Sequence, residues 1–315
     1  MCFLVKGCLR KEERNVSYYT ERHGLRNPVE KTYNITSEMY SVLYGCCERY
    51  FINIAWKYKK ECPDGRGCCG LDKEVFDNEM RFEIPGLFRG WDGRLSNVVK
   101  SLVYNHQMQY AILDLIEFMY DNVRDIIYSK WHEYYKHNDI SFGGSFKIAI
   151  EFREEINSNF NKMGLLYTLN EDGMVERIVE NTVLNNDIEK TIDKVTEPEI
   201  KKLLNQAILS YKTPHPDARE TSVEKIWDAL ERLKTYYTSL DKKHSSEKIV
   251  NDMSNAQQPF IDLFNAEFKT LTDIGNKFRI RHHETDKIDI TDSRHYDYFF
   301  NRCLSLIALA IQYLE

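Results

Sequence analysis

The sequence predicts a mainly α fold, built of helical-bundle domains with one small β-hairpin near residues 164–179. Three observations carry that expectation. Apolar residues recur at the three-to-four spacing of amphipathic helices through several long segments. Gly (14) and Pro (7) are scarce while 29% of residues are charged, a balance that favours a helix-rich globular chain over a disordered or all-β one. Only one stretch, Gly164–Leu169 and Met174–Val179 around Asn170-Glu171-Asp172-Gly173, shows two apolar runs about a glycine turn.

In chain order, residues 1–36 read as a polar entry in which Tyr18–Gly24 and Pro28 give a short helix and a turn. From Ser37 to about Lys59, Met39, Val42, Leu43, Cys46, Tyr50 and Ile54 mark a helix face, with Thr36 or Ser37 as its N-cap. The Cys, Gly and Pro of residues 60–71 predict a loop, and Glu83–Gly86 and Gly90–Gly93 bracket an irregular segment. Leu95–His106 is expected to be helical. So is Gln107–His137, on a stripe running from Ile112 through Leu115, Ile116, Met119 and Val123 to Ile126, with His132 and His137 as cations of its last turn. Further helices are predicted at Phe146–Phe160, at Glu197–Tyr211 before Pro214, at Asp217–Tyr237, at Ser246–Ile280 and at His295–Leu314. Lys242–Ser246 is the best internal break. It divides the 315 residues into an expected N-terminal unit, 1–240, and a C-terminal helical unit, 241–315.

Composition narrows the function. A net charge of −6 argues against coating nucleic acid non-specifically, which needs a broad basic surface. The eight cysteines, at 2, 8, 46, 47, 62, 68, 69 and 303, follow an N-terminus whose apolar run Met1–Val5 is too short for a secretory leader, so free thiols in a cytoplasmic protein are expected. The longest apolar run, Leu304–Ile311, is too short for a membrane span. Cys46, Cys47, Cys62, Cys68 and Cys69 could together supply thiolates for zinc, but no Cys-x-x-Cys knuckle occurs and adjacent Cys68-Cys69 suit such a site poorly, so no metal and no cofactor are expected and a zinc-stabilised structural protein is the weaker alternative.

The one concentration of reactive groups is Gly275–Glu284, between the last two predicted helices. Asn276, Lys277, Arg279, Arg281, His282 and His283 put acid/base imidazoles beside fixed positive charge. If the preceding helix continues through the segment, Arg279 and His283 lie four apart and share a face. The competing reading makes Arg281, His282 and Glu284 a hydrogen-bonded helix end, where the dipole favours cations by roughly 0.3–1 kcal/mol. A metal set of His282, His283, Glu284, Asp292 and His295 is disfavoured, because neighbouring helical side chains diverge by about 100°.

A helix, an Asn/Arg…His element and a second apolar helix resemble the HEPN superfamily of helical nucleases and their inactive relatives. In that family the Arg and His are usually separated by four to six residues. Here three intervene between Arg279 and His283, and five between Asn276 and His282. Tyr19–Gly24 with Pro28, Tyr167–Gly173 and Ile226–Lys234 resemble phrases of bacterial proteins with an abortive-infection, AbiJ-type N-terminal domain. The resemblance implies phage defence, with a possible phage-derived trigger. It implies metal-independent RNA cleavage through the ribose 2′-OH, with Arg279, Arg281, His282 and His283 catalytic and Asn276 and Lys277 contacting RNA. It also implies a homodimer. Its alternative is an inactive HEPN-like binding or sensor module.

Overall fold

A computed structural model describes residues 19–27, 29–65, 67–100, 103–180, 182–281 and 286–314. The mainly α expectation holds, with small antiparallel sheets added. A first apolar core is built by α2 (Ser37–Arg49), α3 (Lys73–Glu83), α4 (His106–Asn122) and α5 (Phe146–Lys162), after a short α1 (Tyr19–Arg22). Thr36 caps α2 by accepting a hydrogen bond from the Met39 amide, and Asp72 caps α3 through the Glu74 and Val75 amides. Phe76 at the centre packs its ring edge-on to Phe51 and Tyr58, the geometry that aromatic quadrupoles favour.

The predicted hairpin is present as β5 (Tyr167–Leu169) and β6 (Val175–Arg177), paired antiparallel. Asn170 accepts from the amides of Asp172 and Met174, and Gly173 takes φ +83°, where an added Cβ would meet the Tyr120 ring at 2.5 Å.

A second sheet departs from expectation. β1 (Lys59–Glu61), β2 (Cys68–Leu71), β3 (Ile126–His132) and β4 (His137–Phe142) form four strands in the order β1-β2-β4-β3, where a loop at 60–71 and a helix running to His137 were expected. The reason is local. α4 stops at Asn122, whose side chain bonds back to the Phe118 carbonyl, and Val123 is extended. The β-branched and aromatic run that follows then pairs as a hairpin. His132 and His137 are therefore a cross-strand pair and not the cations of a helix end. The described residues of the predicted Leu95–His106 helix are non-helical up to Asn105, which caps α4.

A second core runs from Ile192 to Ile311 and is formed by α6 (Asn186–Asp193), α7 (Pro198–Lys212), α8 (Pro216–Leu233), α9 (Lys242–Met253), α10 (Gln258–Lys277) and α11 (Ser293–Ala310). Helices from both sides of residue 240 share it. The single helix expected over Ser246–Ile280 is two, because Asn255 and Ala256 adopt left-handed backbone (φ +46° and +57°) and Pro259 opens α10. Tyr211 stacks on Phe300, ring centroids 3.7 Å apart, which locks α7 to α11. Several polar contacts run between the segments that carry the two cores. Arg177 of β6 donates to the Tyr211 carbonyl and, at 2.9 Å, to Asp297; Tyr33 donates to the Ile178 carbonyl; and Arg219 lies over the Tyr33 ring.

Candidate functional site at the α10–α11 connection

α10 reaches its end against α8 only because residue 275 is glycine: a Cβ there would lie 2.0 Å from the Trp227 indole. Phe278 then turns extended and bridges Ile288. The Arg279 amide donates to the Ile288 carbonyl at 2.8 Å, and the Ile288 amide to the Lys277 carbonyl at 3.2 Å. Lys287 reaches the Gly275 carbonyl at 3.1 Å, a cation on the open acceptors of a helix C-terminus. Ile280 between the two arginines is buried in the second core. The chain on either side of residues 282–285 is thus tied down at several points.

The arginines diverge. Arg279 pairs with Asp289 at 3.0 Å on the returning segment. Arg281 pairs with Asp228 of α8 at 2.8 Å and lies 4.7 Å over the Trp227 ring, whose indole N–H points at the Leu271 carbonyl. Both guanidinium side chains remain one-third exposed, and Asn276 and Lys277 face solvent at the end of α10. The Trp227-Asp228 pair belongs to the phrase Ile226–Lys234 singled out in sequence, so two separate motifs meet in space. His282, His283 and Glu284 lie outside the described residues. Asp292 caps α11, and hydrogen bonds from the Arg294 side chain and amide hold its carboxyl well below the usual carboxylate range.

Chemically, an incoming phosphate would find two guanidinium groups and a lysine on one connection, each arginine already engaged by an aspartate. Such pairing keeps the arginines oriented, and it also offsets the positive charge a phosphate would need.

A second gathering of reactive groups stands at the end of the four-stranded sheet. Cys62, His132, His137 and Asp139 each place one potential ligand atom within 4.8 Å of the others. Sequence reasoning grouped Cys62 with Cys46, Cys47, Cys68 and Cys69 instead. Cys46 and Cys47 lie buried in the first core, Cys68 sits under the sheet, and the Cys69 thiol donates to the Glu61 carbonyl. The signal for the actual grouping was the short spacing His132…His137-x-Asp139, which brings side chains together only if it forms a hairpin.

The family model for the AbiJ N-terminal domain 4 matches residues 17–194, more than half of the chain, and the chain belongs to that family. The match takes in the first core, the four-stranded sheet and the β5–β6 hairpin, and ends within α6 and its exit; membership places the chain among abortive-infection, phage-defence proteins. No curated protein and no solved structure matches. Among the described residues no helix is long and apolar enough to cross a membrane.

Proposed function

We propose that this chain is an abortive-infection effector whose C-terminal, HEPN-like helical unit cleaves RNA at the 276–283 connection, under control of the N-terminal AbiJ-type unit. The observation that supports it most is the anchoring of that connection. Backbone bonds to Ile288, the buried Ile280, and the Arg279–Asp289 and Arg281–Asp228 pairs hold the described residues on either side of 282–285 against a packed core. Preorganised positive groups beside a proton acceptor are what transesterification requires. In this reading His283 or His282 takes the proton of a ribose 2′-OH, and the 2′-oxygen attacks the adjacent phosphorus. The 5′-oxygen then leaves with a proton, giving a 2′,3′-cyclic phosphate. Arg279 or Arg281 holds the charge that develops on the phosphoryl oxygens, Asn276 and Lys277 contact the RNA strand, and no metal takes part. Two such units would meet across a homodimer, released by a phage-derived trigger.

The purified protein, incubated with labelled RNA in buffer without added divalent ions, is expected to yield 2′,3′-cyclic phosphate ends, and the H282A/H283A double variant none. Cleavage that is equal in both proteins would end the nuclease reading.

A specific observation favours a second reading, a non-catalytic binding or sensor module. Each described arginine of the connection has an aspartate of its own chain for a partner, 3.0 Å for Arg279 and 2.8 Å for Arg281. Tight RNA binding without cleavage by the wild-type protein, lost in R281A, is the outcome that reading expects.

A further inference from the structure

We infer that Cys62, His132, His137 and Asp139 form a structural zinc site that clips the β1–β2 hairpin to the β3–β4 hairpin. Cys62 follows β1 at the head of a tight turn. Its amide bonds the Gly67 carbonyl, its carbonyl accepts from Gly65, and Gly65 takes φ +69°. Gly67 leaves room for the site, since a Cβ there would come within 3.0 Å of Asp139 Oδ1. From the other hairpin, His132 ends β3 and His137 opens β4 directly across from it; Asp139, two residues on, is on the same face of β4.

The atoms converge. Cys62 Sγ lies 3.4 Å from His132 Nδ1 and 3.1 Å from His137 Nε2, and Asp139, whose Oδ2 is 3.1 Å from the other nitrogen of His132, brings a ligand atom within 4.8 Å of one from each of the other three residues. Tetrahedral zinc with bonds of about 2.0–2.3 Å sets its ligand atoms on the order of 3.2–3.8 Å apart, so the four donors, now within 4.8 Å of one another, would draw together around the ion. The His132 ring has a carboxylate at each end, Asp139 at 3.1 Å and Asp64 at 3.8 Å. With Nε2 on the metal, the Nδ1 side of the ring faces the Asp64 carboxylate, an acid outside the ligand shell of the kind that orients metal-bound histidine. One thiolate, two imidazoles and a carboxylate are a donor set for zinc and not for magnesium or calcium.

Four protein donors, with Cys62 buried and the His132 and Asp139 side chains only 11% and 16% exposed, leave no open position, which assigns a structural and not a catalytic metal. The surroundings show what it would do. Among the described residues the apolar cluster under this sheet has Ala55, Cys68 and Ile140 as its buried members, with Ile52, Leu71, Ile126 and Phe142 partly buried against them, a small core for four short strands. A metal would supply the missing cross-link.

The test is metal content and ligand-field spectroscopy on the full chain. Wild-type protein and the C69S control, purified from zinc-supplemented cells, should carry one zinc per chain, and C62S and H137A should lose at least nine-tenths of it. After metal removal, cobalt(II) added to the wild type should give the intense visible bands of a tetrahedral ion and a sulfur-to-cobalt charge-transfer band, both lost in C62S. Zinc retained equally by C62S and H137A would overturn the assignment. So would folded wild-type protein that neither holds zinc nor yields a tetrahedral cobalt spectrum, a result independent of whether the variants fold. None of these readouts depends on RNA cleavage.

Discussion

The sheet end of the first core and the α10–α11 connection of the second handle polar groups in opposite ways. At the sheet end, Cys62, His132, His137 and Asp139 turn toward one another over an apolar cluster with three buried members. At the connection, Arg279 and Arg281 turn away from one another, each to an acid on a different element, above a core that holds α8, α10 and α11 without them. In the first place polar groups gather beside a small apolar cluster. In the second they decorate a sufficient one, so the positions there are free to serve function.

Four substitutions break or sharpen that contrast. Arg177, with its side chain only 1% exposed, joins the two cores through Tyr211 and Asp297. R177A leaves Asp297 without its nearest cation and should destabilise the chain by about 3–5 kcal/mol, the penalty for breaking a buried pair. In calorimetry the wild-type chain is expected to melt in one transition and R177A in two, as the cores uncouple. G275A comes next. Its methyl group has no place beside Trp227, so α10 or the indole must move, costing about 1–3 kcal/mol and loosening the seat of Arg281. A lower denaturation midpoint with unchanged m-value, and altered Trp fluorescence, would show it.

D289A should matter far less to stability, by no more than about 1 kcal/mol, because its pair with Arg279 is exposed. By removing one negative charge beside Arg279 it should strengthen RNA binding, read by titration at two salt concentrations. The smallest effect concerns Glu117, whose carboxyl is pushed above its ordinary range by burial, opposed by the Val175 amide that it accepts. A carboxyl raised in the folded state costs stability as pH climbs from the unfolded value through the folded one. E117Q, which keeps an acceptor for Val175, should therefore melt slightly higher than wild type at pH 7 and no higher at pH 3.

Much of the helical frame was legible. Thr36 as a cap, the i, i+3, i+4 stripes of α5, α7, α8 and α11, and the Gly173 turn are local signals that tertiary packing left in place. The β3–β4 hairpin was hidden because Ile126 falls in phase with the stripe of α4, so periodicity ran on past the point where Val123 leaves the helix. α3 escaped notice because its buried face amounts to Phe76 and Met80 alone. The arginine connection was visible as composition, and its partner Asp228 was not, since ion pairing across 53 residues leaves no spacing to read. The same holds for Cys62, which lies 70 residues from His132 in sequence and 3.4 Å away in space.

The most direct test of the whole account is plaque formation by phage on cells carrying the wild-type chain, H282A/H283A, or C69S as a neutral control. The account predicts that wild type and C69S lower plating efficiency by at least tenfold while the double histidine variant, expressed to the same level, gives none of that protection. Full protection by H282A/H283A would contradict it and leave the connection without an effector role.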